Sequence, residues 1–277
     1  MQRDSIANTF LVAVVLCAVC GALVSGSAVA LRPMQEANKL LDRQRNVLLA
    51  AGLATKDTTD EEIGQTFKDR VVRVVIDLRS GEVLADVNPD ELEPLKDAKS
   101  SDDELRLALG SDDPAKLKGR ENRTVVYQIV AEGDPTKVEQ YVFPIRGYGL
   151  WSTLFGFLAL KSDLNTVAGI TYYQHGETPG LGGEVDNPSW KAQWEGKTLY
   201  NEQGEVELRV VKGGAAPGDE HGVDALSGAS ITSAGVEHMV DFWFGERGFK
   251  AYIAKVRGAD SSASTTVAPE SSTEEAQ

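Results

Sequence analysis

Hydroxyl side chains crowd one short segment, DALSGASITS at residues 224–233, and most of the residues between them are small. The hydroxyls belong to Ser227, Ser230, Thr232 and Ser233. Such a group can act as a nucleophile, as a hydrogen-bond donor, or as the site of a phosphoester. This segment is therefore the first place to look for chemistry.

The residues that follow predict a buried helix. Apolar residues recur at i, i+3, i+4, i+7 and i+8, which is typical of one apolar helix face. They are Val236, Met239, Val240, Trp243 and Phe244. Ser230 and Thr232 then lie in the first turn, where unpaired amides and the helix dipole favour a phosphate. Plain capping by Ser or Thr explains the same residues without a ligand.

Two further clusters of small residues lie far away in the chain, RGYGLWS at 146–152 and HGETPGLGGE at 175–184. Glycine lets the backbone approach another strand, or a flat or phosphorylated ligand, very closely. Any one cluster is explained equally well as a tight turn. All three together favour a ligand site.

Hydrolysis is the first alternative, because His221, Asp224 and two serines lie close together in the sequence. A nucleophile elbow needs glycine two residues before and after its serine. Ala225 and Ala229 occupy those positions around Ser227, so a hydrolase is not favoured.

Composition argues against several other classes of function. The formal net charge of -14 does not favour nucleic-acid binding, which requires clustered Lys and Arg. Three scattered histidines, and cysteines only at 17 and 20, do not predict a metal site. Neither a complete dinucleotide fingerprint nor a P-loop lysine is present.

The elements that would position these clusters are mostly strands. Five β-rich runs precede the closing helices: TVVYQIVA, VEQYVFPIRG, TLFGFLAL, VAGITYYQ and VELRVVK. A further run, residues 69–87, is interrupted by Ser80-Gly81 and predicts a hairpin. The sequence therefore predicts an α+β domain with a central, largely antiparallel sheet flanked by helices.

The amino terminus carries an uncharged apolar run from Phe10 to Leu31. As a helix it would cover about 33 Å, enough for a hydrocarbon core of roughly 30 Å. We predict a transmembrane anchor over residues 1–32; a cleaved signal peptide ending at Ala28-Val29-Ala30 is the alternative. An amphipathic helix should follow and end near Gly52.

Two polar regions complete the organisation. Residues 88–122 predict a solvated insertion, in which Ser101 and Glu104 resemble a capping box that opens a short helix. Residues 258–277 are rich in Ser, Thr and Glu, which predicts a disordered acidic tail.

The motif DALSGAS resembles the covalent flavinylation motif of the FMN-binding domain family, Asp-x-x-Ser/Thr-Gly-Ala-Thr, with Ser230 replacing the acceptor threonine. The segments RPMQEANKLLDRQRNVLLAAGL, GYGLWS, HGETPGLGGE and VDALSGASITSAGVEHMVDFW together resemble the C-subunit family of sodium-translocating NADH:quinone oxidoreductases. The G subunits of the related Rnf complex, an alternative, share the flavin motif and the ETPGLG type of loop, but the long RPMQEANKLLDRQ stretch fits the C subunits better.

The resemblance implies covalent FMN, attached through its phosphate by a flavin transferase to Ser230, or else to Thr232. Motif positions read by the transferase or lining the phosphate are then Asp224, Ser227, Gly228 and Ala229. Lys212 would balance the phosphate charge, or be an ordinary solvated lysine.

The resemblance also implies walls for the flavin ring. Leu150 and Trp151 would lie against the isoalloxazine, although Trp151 could equally belong to a core. Glu177, Thr178 and Leu181 would form the opposite wall or supply hydrogen bonds to the ring.

For the whole chain, the resemblance implies a single-pass protein of the bacterial inner membrane, whose periplasmic FMN-binding domain spans residues 33–257. It would relay electrons within a membrane complex of six subunits and would meet a periplasmic flavin transferase during maturation. The Lys and Arg residues after the span favour a cytoplasmic domain by themselves. A membrane-anchored flavin sensor and a flavin-free structural ectodomain are the alternatives.

Overall fold

The computed structural model describes residues 6–111 and 113–264, and the chain divides into two compact units, Met1–Arg43 and Gln44–Gln277. The helices are α1 (Ile6–Ala50), α2 (Asp60–Arg70), α3 (Pro94–Asp97), α4 (Pro188–Ala192), α5 (Ser230–Phe244) and α6 (Lys250–Ser264). The strands are β1 (Val71–Asp77), β2 (Arg106–Ala108), β3 (Gly119–Glu121), β4 (Arg123–Ala131), β5 (Asp134–Tyr148), β6 (Thr153–Lys161), β7 (Val167–Gln174), β8 (Arg209–Val211) and β9 (Gly222–Asp224).

In the first unit, the apolar run is part of α1. An 18-residue window of this helix has a mean hydropathy of 2.4 and none of it is buried. By length and composition the helix can cross a membrane, a property that it shares with signal sequences. The predicted amphipathic segment continues the same helix, which ends at Ala50, just before Gly52 with its positive φ of 70°.

The main sheet of the second unit has the order β1-β4-β5-β6-β7, and each neighbouring pair is antiparallel. This confirms the predicted α+β class. β4 to β7 contain four of the five predicted runs. The fifth, VELRVVK, contributes only β8, which pairs in parallel with β9 in a separate small sheet. The fifth strand of the main sheet is β1, at the edge beside β4.

Helices cover both faces of this sheet, which is why its central strands carry apolar residues on both sides. On one face α5 packs against β5, with the rings of Phe143 and Phe244 centred 5.4 Å apart. On the other face α2 places Phe67 against Tyr127, at 6.2 Å. The end of α1 lies on that second face, where the Gln140 side chain donates to the Ala51 carbonyl at 3.1 Å.

The predicted hairpin at residues 69–87 is reduced to a turn. Gly81 has a φ of 73°, and beyond it only Val83 forms a bridge, to Ile76. The backbone of α6 lies against this turn, since a Cβ at Gly81 would be 2.4 Å from the carbonyl carbon of Ala251. The full-length partner of β1 is therefore β4.

The segment 88–122 differs from its prediction in two ways. No capping box forms at Ser101: Asp102 instead accepts from the Glu104 amide at 2.9 Å in a local turn, and β2 follows. The end of the segment is buried rather than solvated. Glu121, 1% exposed, forms an ion pair with Arg146 on β5.

The carboxyl-terminal region also differs from its prediction. α6 continues to Ser264, so residues 258–264 are helical where disorder was expected from composition. Residues 265–277 lie outside the described part of the chain.

Candidate functional site

The three clusters of small residues meet at one end of the main sheet. Residues 149–152 form the turn between β5 and β6, and residues 175–181 follow β7. These two loops are neighbours because Gln174, the last residue of β7, lies opposite Phe155 near the start of β6. The third cluster leads into α5, which approaches so closely that a Cβ at Gly235 would be 2.5 Å from the Tyr148 carbonyl oxygen.

α5 begins at Ser230, as predicted, but no serine or threonine caps it. The residue before the helix is Ala229, and among the described residues no side-chain cap accepts from the start of the helix. The Ser233 hydroxyl is used within the preceding loop instead: it accepts from the Leu226 amide at 2.9 Å and donates to the Ala229 carbonyl at 3.0 Å. Plain capping therefore does not account for the hydroxyls of this motif.

The two candidate acceptor hydroxyls differ sharply in environment. Ser230 is exposed, whereas Thr232 is 1% exposed and donates to Glu177 Oε2 at 2.7 Å. Residues two apart on a helix point about 200° away from each other, so only one of the pair can face solvent. Thr232 is therefore sequestered, and Ser230 is accessible.

Glu177 joins all three clusters through its carboxylate. Its oxygens accept from the amides of Leu150, Trp151 and Ser152 at 3.0 to 3.2 Å, from the Ser152 hydroxyl at 3.2 Å, and from Thr232. The resemblance implies that Glu177 forms the second wall of the flavin or supplies hydrogen bonds to the ring; in this structure its side chain is 5% exposed and accepts hydrogen bonds from protein donors.

The hydrogen bonds keep Glu177 ionised. Burial by itself would raise the pKa of the Glu177 carboxyl, but donation by Thr232 and by the amides of residues 150–152 outweighs burial and lowers it. The donors to the carboxylate among the described residues are all neutral. The site therefore contains a fixed negative charge.

Two glycines are required by this carboxylate. A Cβ at Gly149 would lie 2.8 Å from Glu177 Oε1, and a Cβ at Gly182 would lie 2.8 Å from Oε2 and 2.6 Å from Thr232 Oγ1. All three distances are too short for real contacts. At these two positions glycine allows protein segments to approach each other closely, and it does not make room for a ligand.

Large apolar side chains are exposed on all three segments. Their exposed fractions are 39% for Leu150, 67% for Trp151, 43% for Leu181 and 53% for Ile231. Leu181 also lies beside the segment 224–230, since a Cβ at Gly228 would be 3.0 Å from Leu181 Cδ2. Exposed apolar side chains gathered around a loop are typical of a ligand or partner site.

Ile231 and His175 were not predicted as site residues. Ile231 lies outside the buried apolar stripe of α5. An apolar residue off this stripe is the sequence feature that could have identified Ile231 as a site residue. His175 Nδ1 accepts from the Glu177 amide at 3.2 Å, and its Nε2 lies 2.8 Å from Asp186 Oδ2. Its role in holding the 175–184 loop depends on Asp186, eleven residues away, and is not visible in the local pattern.

The remaining candidates lie in or near residues 224–230. Asp224 accepts from the Ala215 amide at 2.7 Å and so fixes the glycine-rich loop after β8. Lys212 is exposed in that loop, next to Val211, whose carbonyl accepts from Ala225. Ser227 and Gly228 are exposed and Ala229 is buried; Gly228 has a φ of 73°, a conformation that favours glycine.

Thr178 belongs to the loop beside this segment. Its side chain is exposed, and its carbonyl accepts from the amides of Leu181 and Gly183 at 3.1 and 2.9 Å.

Comparisons with known proteins point to the same region. The profile of the FMN-binding domain family matches residues 149–245, which include most of this site. The C subunit of the Na(+)-translocating NADH-quinone reductase of Pseudomonas aeruginosa is 48% identical over 260 residues, covering 92% of this chain and 98% of that protein. The corresponding protein of Yersinia pestis is 44% identical, covering 92% and 95%. The crystal structure of Shewanella oneidensis NqrC superimposes with a TM-score of 0.73 at 36% identity, covering 80% of this chain and 99% of that one.

Proposed function

The chain belongs to the family of C subunits of Na(+)-translocating NADH-quinone reductases, and on that premise we propose that it carries FMN as a phosphoester on Ser230 and relays electrons within the complex. The observation that carries the proposal is the accessibility of the Ser230 hydroxyl at the start of α5.

The start of α5 suits a phosphate for three reasons. The Ser230 hydroxyl is exposed, the first-turn amides have no side-chain cap, and the amino end of a helix favours negative charge. Thr232 is a poor acceptor in comparison, since its hydroxyl is buried and donates to Glu177. This contrast supports Ser230 over the alternative.

The exposed apolar side chains suit the flavin ring. Leu150, Trp151, Leu181 and Ile231 offer apolar surface around the attachment segment, and an aromatic ring gains by covering such surface. Bound FMN would supply the redox chemistry; the chain supplies attachment, orientation and exclusion of water. We assign the Glu177 carboxylate to the protein scaffold behind this surface.

The attachment reaction requires a flavin donor with an activated phosphate. The Ser230 oxygen would form the new O–P bond and give its proton to a base of the transferring enzyme, while the phosphoanhydride bond of the donor breaks and the rest of the donor leaves as a phosphate monoester. We assign this step to a separate flavin transferase, because no general base among the described residues lies within hydrogen-bond distance of the Ser230 hydroxyl.

The cellular setting of the proposal rests on α1 and on the family. We propose that α1 crosses the bacterial inner membrane once, that the FMN-binding domain is periplasmic, and that its partners are the other members of a complex of six subunits. Co-purification of these partners with the tagged full chain tests this part of the proposal.

The first prediction concerns Ser230→Ala. Made together with a flavin transferase, the wild-type chain should show the mass of one added FMN group and a fluorescent band after denaturation. Ser230→Ala should lack both and keep its melting temperature, because an exposed hydroxyl contributes little stability.

Ser230→Thr and Thr232→Val are the matched controls, and both should retain the added mass. Covalent flavin that persists in Ser230→Ala, or an unmodified wild-type chain, would contradict the proposal.

A further inference from the structure

We propose that Glu177 is a positioning residue: it clamps the start of α5 to the β5–β6 turn, sets the spacing between the attachment hydroxyl and the ring wall, and opposes reduction of the flavin by its charge. This inference rests on the proposed function. The contacts of the Glu177 side chain can be tested separately from FMN attachment.

The carboxylate has no hydrogen-bonding capacity left for the ring. A carboxylate offers about four lone-pair positions, and this one accepts from three consecutive amides and two hydroxyls. A ring nitrogen would have to displace one of these protein donors. Glu177 therefore acts through the residues that it holds.

On the ring side, the carboxylate fixes the direction of the wall. The amides of Leu150, Trp151 and Ser152 all converge on Glu177. With the backbone held inward, the side chains of Leu150 and Trp151 remain exposed. The orientation of the wall thus follows from the position of one carboxylate.

On the attachment side, the carboxylate fixes the rotation of α5. Thr232 is held inward by its 2.7 Å hydrogen bond, and Ser230 is turned outward, about 200° away around the helix. Rotation of the helix would bury Ser230 and expose Thr232. A single side chain thus relates the attachment point to the ring wall.

The charge of Glu177 has its own consequence. Reduction of a flavin adds electron density, and a fixed negative charge nearby disfavours it. Glu177 is 5% exposed, so screening by solvent and salt is weak. Removing this charge should make the flavin easier to reduce.

The experiment uses the full-length chain loaded with FMN, and measures the flavin midpoint potential and the visible circular dichroism. Glu177→Gln should raise the potential at unchanged flavin content. Glu184→Gln is the matched control, because it removes a half-buried carboxylate of the same loop that bonds to Asn187 rather than to the site; its shift should be less than half as large.

Thr232→Val and Thr232→Ser test the clamp without changing charge. Thr232→Val should reduce the visible circular dichroism and the fluorescence anisotropy of the flavin, and Thr232→Ser should restore both. The inference fails if Glu177→Gln shifts the potential no more than Glu184→Gln does, or if Thr232→Val leaves both signals unchanged. Loss of FMN from Ser230 in the wild type would contradict the proposed function instead, and mass spectrometry detects that separately.

Discussion

Residues of the same chemical type have different surroundings in this site, and their type alone does not predict which contacts they make. Ser230 and Thr232 offer the same functional group two positions apart, yet one is exposed and the other is buried against a carboxylate. Two of the glycines, Gly149 and Gly182, make room for the Glu177 carboxylate.

At the residue scale, we predict that Gly182→Ala disrupts the site. The new methyl group would lie 2.6 Å from Thr232 Oγ1 and 2.8 Å from Glu177 Oε2, so it would displace the two side chains that are hydrogen-bonded to each other. We expect destabilisation of about 1–3 kcal/mol by overpacking, with several-fold less covalent FMN by mass spectrometry. Gly176→Ala in the same loop is the control: its methyl group would meet Ser152 at an ordinary 3.4 Å, and it should load normally.

Elements of the fold position the site by bringing distant segments to one end of the sheet. The β5–β6 turn, the loop after β7 and the start of α5 meet there because β5, β6 and β7 pair in antiparallel order and α5 packs on β5. The segment 88–122 contributes through its buried end, where Glu121 pairs with Arg146. The guanidinium of Arg146 in turn lies 4.9 Å from the ring centre of Trp243 on α5.

At the scale of α5, we predict a pH-dependent contribution from Asp241. Burial, and then the nearby charge of Glu237, raise the pKa of Asp241 to about 6. A carboxyl group whose pKa is raised in the folded state lowers the stability of the fold at pH values at which the group is ionised. The contribution of Asp241 to the stability of the wild type should therefore fall as the pH rises from about 4 to about 6, and then remain lower.

Asp241→Asn removes this penalty. The variant should be more stable than the wild type above pH 6, by about 1 kcal/mol after allowance for partial solvent exposure, and the difference should vanish below pH 4. Urea denaturation at several pH values measures both. Glu246→Gln, at an exposed position in the turn after α5, should follow the wild-type pH profile, and an equal gain at all pH values for Asp241→Asn would contradict the explanation.

At the scale of the whole molecule, the boundary between the two units lies within a single helix. α1 runs to Ala50, but its last residues belong to the second unit, where Val47 and Leu48 are fully buried. The hydrophobic pattern of this region predicted the helix and its end near Gly52. It did not indicate that the last two turns complete the core of the domain.

This arrangement predicts where the chain can be shortened. A fragment of residues 44–277 should fold cooperatively, whereas a fragment of residues 53–277 should lose about 3–5 kcal/mol of stability, because the burial of Val47 and Leu48 is lost. Chemical denaturation of the two fragments compares them. Equal stability would show that the end of α1 is dispensable.

The sequence alone determined the features that depend on local pattern. The β-rich runs identified β4 to β7, the apolar stripe identified α5 and placed Ser230 and Thr232 in its first turn, and an uncharged apolar run identified the helix that can cross a membrane. Predictions from local pattern were wrong where contacts with distant residues determine the structure. The run VELRVVK lies outside the main sheet, no helix begins at Ser101, and the polar residues 120–122 are buried.

Only the tertiary structure decided which hydroxyl is accessible and what Glu177 contacts. Thr232 lies 55 positions from Glu177 in the chain, and the amides of Leu150 to Ser152 lie 25 to 27 positions away. Contacts over such separations depend on how the strands pair and on which helix covers them, and local composition does not encode either. The hydroxyl groups of residues 224–233 are therefore visible in the sequence, while their exposure and orientation arise only in the folded chain.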